Sequence, residues 1–155
     1  NAGWTANSLE EAELLGEISA RVTHNHPEII KGAKVTAGCI FILKNGGDKD
    51  AIRKYASKYY DINFKLDEIR ESYTFDVSCQ GTVPYSIVSF LEAKDFADTI
   101  SNAISIGGDS DTLAAIAGSI AEAYYPVSDK MKKYTVSKLD DYLTTLLNDS
   151  IVCLK

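Results

Sequence analysis

Three prolines in a chain of 155 residues are few, and none of Pro27, Pro84 and Pro126 interrupts a stretch of helical periodicity. Each stands where a helix can begin or has just ended, positions at which the missing N–H costs nothing. That spacing predicts an all-α chain, a single helical domain over residues 1–155. "SLEEAELLGEISARVTH" opens with Ser8 and places Glu11 three residues on, a capping-box pattern. Its apolar Leu14, Leu15, Ile18 and Val22 recur at helical spacing, with an end near His24.

"HPEIIKGAKVTAGCIFILKNGG" restarts with Pro27 in a first turn and stops at Gly46 and Gly47. Its middle, 33–43, is apolar almost all round and reads as a central, buried helix, as does 113–123. Gly32 and Gly38 would each cost about 1 kcal/mol against alanine inside a helix, so they are expected to admit another backbone. "DKDAIRKYASKYY" is a more exposed amphipathic helix whose Tyr55, Tyr59 and Tyr60 form a packing side. Between Asp61 and Gly81 the pattern weakens to one short helix, 66–71. Further helices are expected at 84–91, 94–104, 111–125 and 138–148.

The formal charge of −6 and pI near 4.9 oppose binding to phosphate polyanions, so nucleic acid is excluded as a first partner and cations are favoured. Cys39, Cys79 and Cys153 are odd in number and widely spaced, which fits neither a disulfide framework nor a zinc site and suits a reducing, cytoplasmic setting. No apolar stretch reaches the roughly 18 residues of a membrane span, so no membrane partner is expected.

The chemistry concentrates in "SIGGDSDTLAAIAGSIAEAYYP", 105–126. Two residues apart on a helix point to nearly opposite sides, because each residue turns by about 100°. Asp109 and Asp111 converge only if Gly107 and Gly108 bend the backbone and the helix begins at about Asp111. One account makes an aspartate the cap and the other a partner of the helix dipole. The other makes Asp109, Asp111 and the Thr112 hydroxyl an oxygen cluster for a hard cation. An EF-hand loop needs further ligands at set spacing that are lacking here, and a DxDxT phosphatase nucleophile needs one more residue before its threonine.

This segment resembles the C-terminal metal-binding signature of the ADP-ribosylglycohydrolases. "THNHPEIIKGAKVTAGCIF" (23–41) and "FDVSCQGTVPYSIVSFLEAKDFADTISNAIS" (75–105) resemble further segments of that family, in the same order. The resemblance implies an orthogonal multi-helix bundle, two divalent cations (Mg2+ or Mn2+), and hydrolysis of the bond joining ADP-ribose to a modified protein or a small acceptor. It implies Asp109, Asp111 and Thr112 as metal ligands. His24, Ser78, Gln80, Gly81, Gly107, Gly108 and Ser110 fall on the substrate side of the cleft. Asn25, His26 and Glu28 are less defined: His26 is equally a cap for the helix opened by Pro27, and Glu28 a partner of its dipole. Cys79 reads as a small buried residue, since the chemistry uses metal-activated water.

The family domain is roughly twice this length. Its early threonine and aspartate pair and its glycine- and asparagine-rich segment have no counterpart here, so the chain resembles the C-terminal half. Asp76 and Glu28 are the remaining acids to consider as acid or base, without support from spacing. The expectation is a hydrolase inactive unless a separate N-terminal half or a second copy completes it. The alternatives are a non-catalytic helical remnant that oligomerises or binds ADP-ribose weakly, and a fragment of a complete enzyme.

Overall fold

The computed structural model describes residues 2–153. Asn1, Leu154, Lys155 and the side chains of Val152 and Cys153, including the expected unpaired Cys153, lie outside the described residues. The described residues form ten helices and no strand, so the fold is all-α. The chain divides into two compact units, 1–125 and 126–155.

The first unit holds α1 (Ala2–Thr5), α2 (Leu9–Arg21), α3 (Pro27–Lys44), α4 (Lys49–Ala56), α5 (Leu66–Ile69), α6 (Cys79–Glu92), α7 (Phe96–Ser105) and α8 (Ser110–Glu122). As expected, α3 is central: α1, α2, α4, α6 and α8 all pack on it. Val35, Cys39, Ile87, Phe90, Leu113 and Ile120 are all fully buried. Each large apolar side chain of this kind contributes about 1.5–3 kcal/mol relative to exposure. At the start of α2, Ser8 Oγ accepts from the Glu11 N–H at 3.1 Å, but the Glu11 carboxylate turns to the Asn7 N–H at 2.7 Å and leaves the box half made.

Three expectations are corrected by packing. The backbone contacts of α3 are made at Gly16 and Gly3, where an added Cβ would lie 2.8 Å from the Ala33 oxygen and 2.5 Å from the Ala37 oxygen. Gly38 instead makes room for a side chain: its Cβ would fall 2.1 Å from the Tyr55 hydroxyl. That hydroxyl crosses α3 to donate to Glu13 Oε1 of α2 at 2.8 Å, joined there by Tyr59 at 3.1 Å. Gly32 likewise faces side chains, Val83 and Cys79.

The second correction concerns the apolar residues that set the period of α2. Leu14, Ile18 and Val22 are 54%, 52% and 82% exposed, and the packing face is the small pair Ala12 and Gly16. The third concerns Pro84, which lies inside α6 and not at its start. A proline there removes one helical bond and costs about 3 kcal/mol. It is offset by burial of Val83, Ile87 and Phe90 and by a strong start five residues earlier, where Ser78 Oγ caps the Gly81 N–H at 3.0 Å.

In the second unit, α9 (Asp129–Val136) begins at a Ser128 cap and was not expected from its short, polar sequence. The last helix, α10 (Asp141–Cys153), runs further than the spacing predicts and starts three residues later, where Asp140 Oδ1 accepts from the Leu143 N–H at 2.8 Å.

Candidate functional site

The turn before α8 answers the question posed by its two aspartates. Gly107 and Gly108 take φ of +82° and +62°, conformations that favour glycine, and the helix begins at Ser110. Asp109 therefore stands outside the helix with ψ 63°, while Asp111 is in its first turn. Their carboxyl groups converge: Asp111 is held below its usual value first by a hydrogen bond with Asp109 and then by the N–H groups of Thr112 and Asp111 itself. The capping account fails for Asp109, which occupies the N-cap position without making a side-chain cap bond. Its half-buried carboxylate stands beside exposed Asp111 and Thr112.

Asp109 and the loop before α6 meet through a residue that belongs to neither motif. The Tyr73 hydroxyl donates to the Gly81 carbonyl at 2.6 Å, and its ring lies 2.6 Å from where a Cβ on Gly108 would stand. Burial first, then Asp76, Tyr85 and Asp109, push the Tyr73 phenol up. Asp76 turns onto the start of α6: Oδ1 accepts from the Ser78 N–H at 2.7 Å, and Oδ2 would lie 2.0 Å from a Cβ on Gly81. That hydrogen bond holds the Asp76 carboxyl low. Ser78 is committed to its cap, Gly81 is buried beneath Asp76, and Gln80 is exposed.

The same end of the unit receives the start of α3, since Gly32 faces Cys79. His26 is the N-cap of α3, its Nδ1 accepting from the Glu28 N–H at 3.3 Å, and Glu28 pairs with Lys31 at 2.5 Å. Burial and then Glu28 push the Cys79 thiol up, with Lys31 opposing, so Cys79 is a poor nucleophile. His24 is exposed in the loop before α3, its N–H held by the Ala20 carbonyl at 2.8 Å. No hydrogen bond or ion pair among the described residues ties it to the acidic turn. The start of α3 thus lies near the start of α6, Tyr73 joins the starts of α6 and α8, and the three helices pack on one another.

Tyr73 and Tyr85 escaped the sequence reading because they stand outside every quoted metal signature. Locating the start of α6 at Ser78, two residues after Asp76, is the signal that would have drawn the loop in. A cleft of about 210 Å³ opens between Tyr73, Asp76, Gly81 and Tyr85. A larger cavity, about 620 Å³ and lined by Arg53, Phe64 and Glu92, holds none of the predicted residues. Among the described residues no three His, Cys, Asp or Glu side chains cluster as a metal cage. The donors of the acidic turn, two carboxylates and a hydroxyl, suit one face of a hard cation's shell and not a complete one.

Comparison with known proteins gives this geometry a context. An uncharacterised protein of Archaeoglobus fulgidus is 31% identical over 136 residues, covering 75% of this chain and 43% of that protein. ADP-ribosylarginine hydrolase Tri1 of Pseudomonas putida is 30% identical, over 69% of this chain and 31% of its own. ADP-ribosyl-[dinitrogen reductase] glycohydrolase of Rhodospirillum rubrum is 31% identical, over 78% of this chain and 41% of its own. The chain therefore spans less than half the length of these relatives. No solved structure matches it. With residues 2–151 matching the ADP-ribosylglycohydrolase family, the chain belongs to that family.

Proposed function

We propose that the convergent turn Asp109–Thr112 is the cation-holding part of a hydrolase that removes ADP-ribose from a modified protein or small acceptor. The relatives' names, an ADP-ribosylarginine hydrolase and an ADP-ribosyl-[dinitrogen reductase] glycohydrolase, favour a protein acceptor. The observation that carries the reading is the Asp109 carboxylate, placed at an N-cap yet unspent on capping, against Asp111. Asp109, Asp111 and Thr112 would hold Mg2+ or Mn2+. Such a cation supplies charge to fix ribose hydroxyls and to acidify a water. Around it, Tyr73 packs over Gly108 and fixes the spacing of the two turns, Gly107 keeps the approach open, and exposed His24 and Gln80 are available to substrate.

No base is placed against the aspartates among the described residues, so binding is expected of this chain and turnover is not. The test uses Mn2+ as probe on the 15N-labelled chain. Paramagnetic broadening should appear first at the amides of 107–112 and vanish in Asp109→Ala. Broadening confined elsewhere, or unchanged in that variant, overturns the reading; ADP-ribose release by the chain with Mn2+ overturns its dependence on further groups.

A second reading, a non-catalytic helical unit that self-associates, is favoured by the exposed Leu14, Ile18 and Val22. No described helix is long and apolar enough to cross a membrane.

A further inference from the structure

Leu14, Ile18 and Val22 stand four residues apart on α2 and drift by about 40° at each step, so they form one exposed stripe on the side turned from Ala12 and Gly16. The stripe has charged ends. Glu10 and Arg21 are separated by three turns and about 20°, which sets both on the same edge of the stripe, one at each end. Glu10 is exposed and makes no ion pair or side-chain hydrogen bond among the described residues. Arg21 is exposed too and meets Glu17 of its own helix through Nε alone, at 3.3 Å. Glu11, by contrast, is spent on the Asn7 N–H.

This pattern complements itself only in reverse. A second α2 laid antiparallel, about a twofold axis level with Gly16, sets Leu14 against the partner's Ile18 and Glu10 one residue, about 1.5 Å, from the level of the partner's Arg21. Such an axis brings equal edges together, so both ends close with an opposite-charge pair. A parallel copy levels Glu10 with Glu10 and Arg21 with Arg21 and makes neither pair. We infer that α2 binds a second copy of this chain through this face, antiparallel, with Leu14, Ile18 and Val22 as the contact and Glu10 with Arg21 setting the register. The pairing rests on the self-association reading and specifies its geometry. Five side chains are few beside the roughly 20–30 residues per side of a standard interface, so the dimer is weak and concentration-dependent.

Sedimentation velocity across a dilution series reads association in the parent, in Glu10→Lys, in Arg21→Glu and in an equal mixture of the two variants. Each reversal sets like charges at both ends of its own dimer and should weaken association at least about tenfold. In the mixture the two reversals meet their opposites across the axis, and association should return to within about threefold of the parent. Thermal unfolding at high dilution checks that both variants fold. Should either fail, Glu10→Gln should weaken association severalfold and flatten its dependence on salt. A parent monomeric throughout overturns both the pairing and the self-association reading. A parent that dimerises while the reversals change nothing, or while the mixture stays as weak as the single variants, overturns the antiparallel pairing and leaves self-association standing.

Discussion

The Tyr73 hydroxyl and the Gly81 carbonyl, 2.6 Å apart, join the start of α6 to a ring that closes over Gly108. One side chain thereby sets the distance between the two turns that carry the candidate site. Tyr73→Phe keeps the ring and leaves the Gly81 carbonyl without its donor, and should cost about 1–2 kcal/mol in urea unfolding. Tyr73→Ala removes the strut, so amide shifts should spread to 107–112 as well as to Gly81. Shifts confined to 72–74 would show that the two turns are held independently.

Gly81 and Asp76 form a second interlocked pair. A Cβ at 81 would lie 2.0 Å from Asp76 Oδ2, so Gly81→Ala should destabilise by more than about 1 kcal/mol. If the collision is the cause, the double variant with Asp76→Ala should lose less than the sum of the two single losses. Additive losses would place the need for glycine elsewhere.

Asp109 separates capping from function. Ser8, Asp48 and Asp95 each accept a backbone N–H at their helix starts, and replacement of any by alanine should cost about 1 kcal/mol. Asp109 makes no such bond, so Asp109→Ala should stay within about 0.5 kcal/mol of the parent while abolishing Mn2+ broadening. A loss equal to that of Asp48→Ala would restore the capping account.

The sign of the acid dependence follows from Asp76, whose carboxyl lies below its ordinary 3.8 because the Ser78 N–H holds the charged form. A depressed folded value contributes stability that is fully present above the unfolded value and is lost as pH falls through the folded one. Thermal stability measured from pH 5 downward should therefore fall less steeply in Asp76→Asn than in the parent. An identical slope would mean that the hydrogen bond persists in the unfolded chain.

Helix existence was legible because capping residues and apolar period agree along most of the first unit, with Pro27 marking a start, though Pro84 misled by standing inside α6. The acidic turn was legible for a similar reason: Gly107 and Gly108 announce the bend that lets Asp109 meet Asp111. What failed was orientation. Period tells that Leu14, Ile18 and Val22 share a face of α2, and cannot tell that Ala12 and Gly16 on another face pack closer to α3. The loop around Tyr73 and Asp76 was illegible because its order comes from contacts with Gly81 and Gly108, far apart in sequence, and from no period of its own.

The last prediction turns on that misjudged face. The apolar circumference of α3 and α8 is covered within the chain, through Val35, Ile40 and Leu43 on one and Leu113, Ala117 and Ile120 on the other. Surface left for self-association is instead the stripe Leu14, Ile18 and Val22, where each Å² covered is worth about 25 cal/mol. Gly16→Ala, which sets a Cβ 2.8 Å from the Ala33 oxygen, should lose about 1–3 kcal/mol regardless of concentration, because it breaks packing inside the chain. Ile18→Ser should stay within about 0.5 kcal/mol at high dilution. Light scattering across a dilution series should show mass rising with concentration in the parent and constant in Ile18→Ser. A parent monomeric at every concentration would leave the stripe in water and end the self-association reading. A large loss in Ile18→Ser at high dilution would show that α2 packs on the face its sequence period suggested.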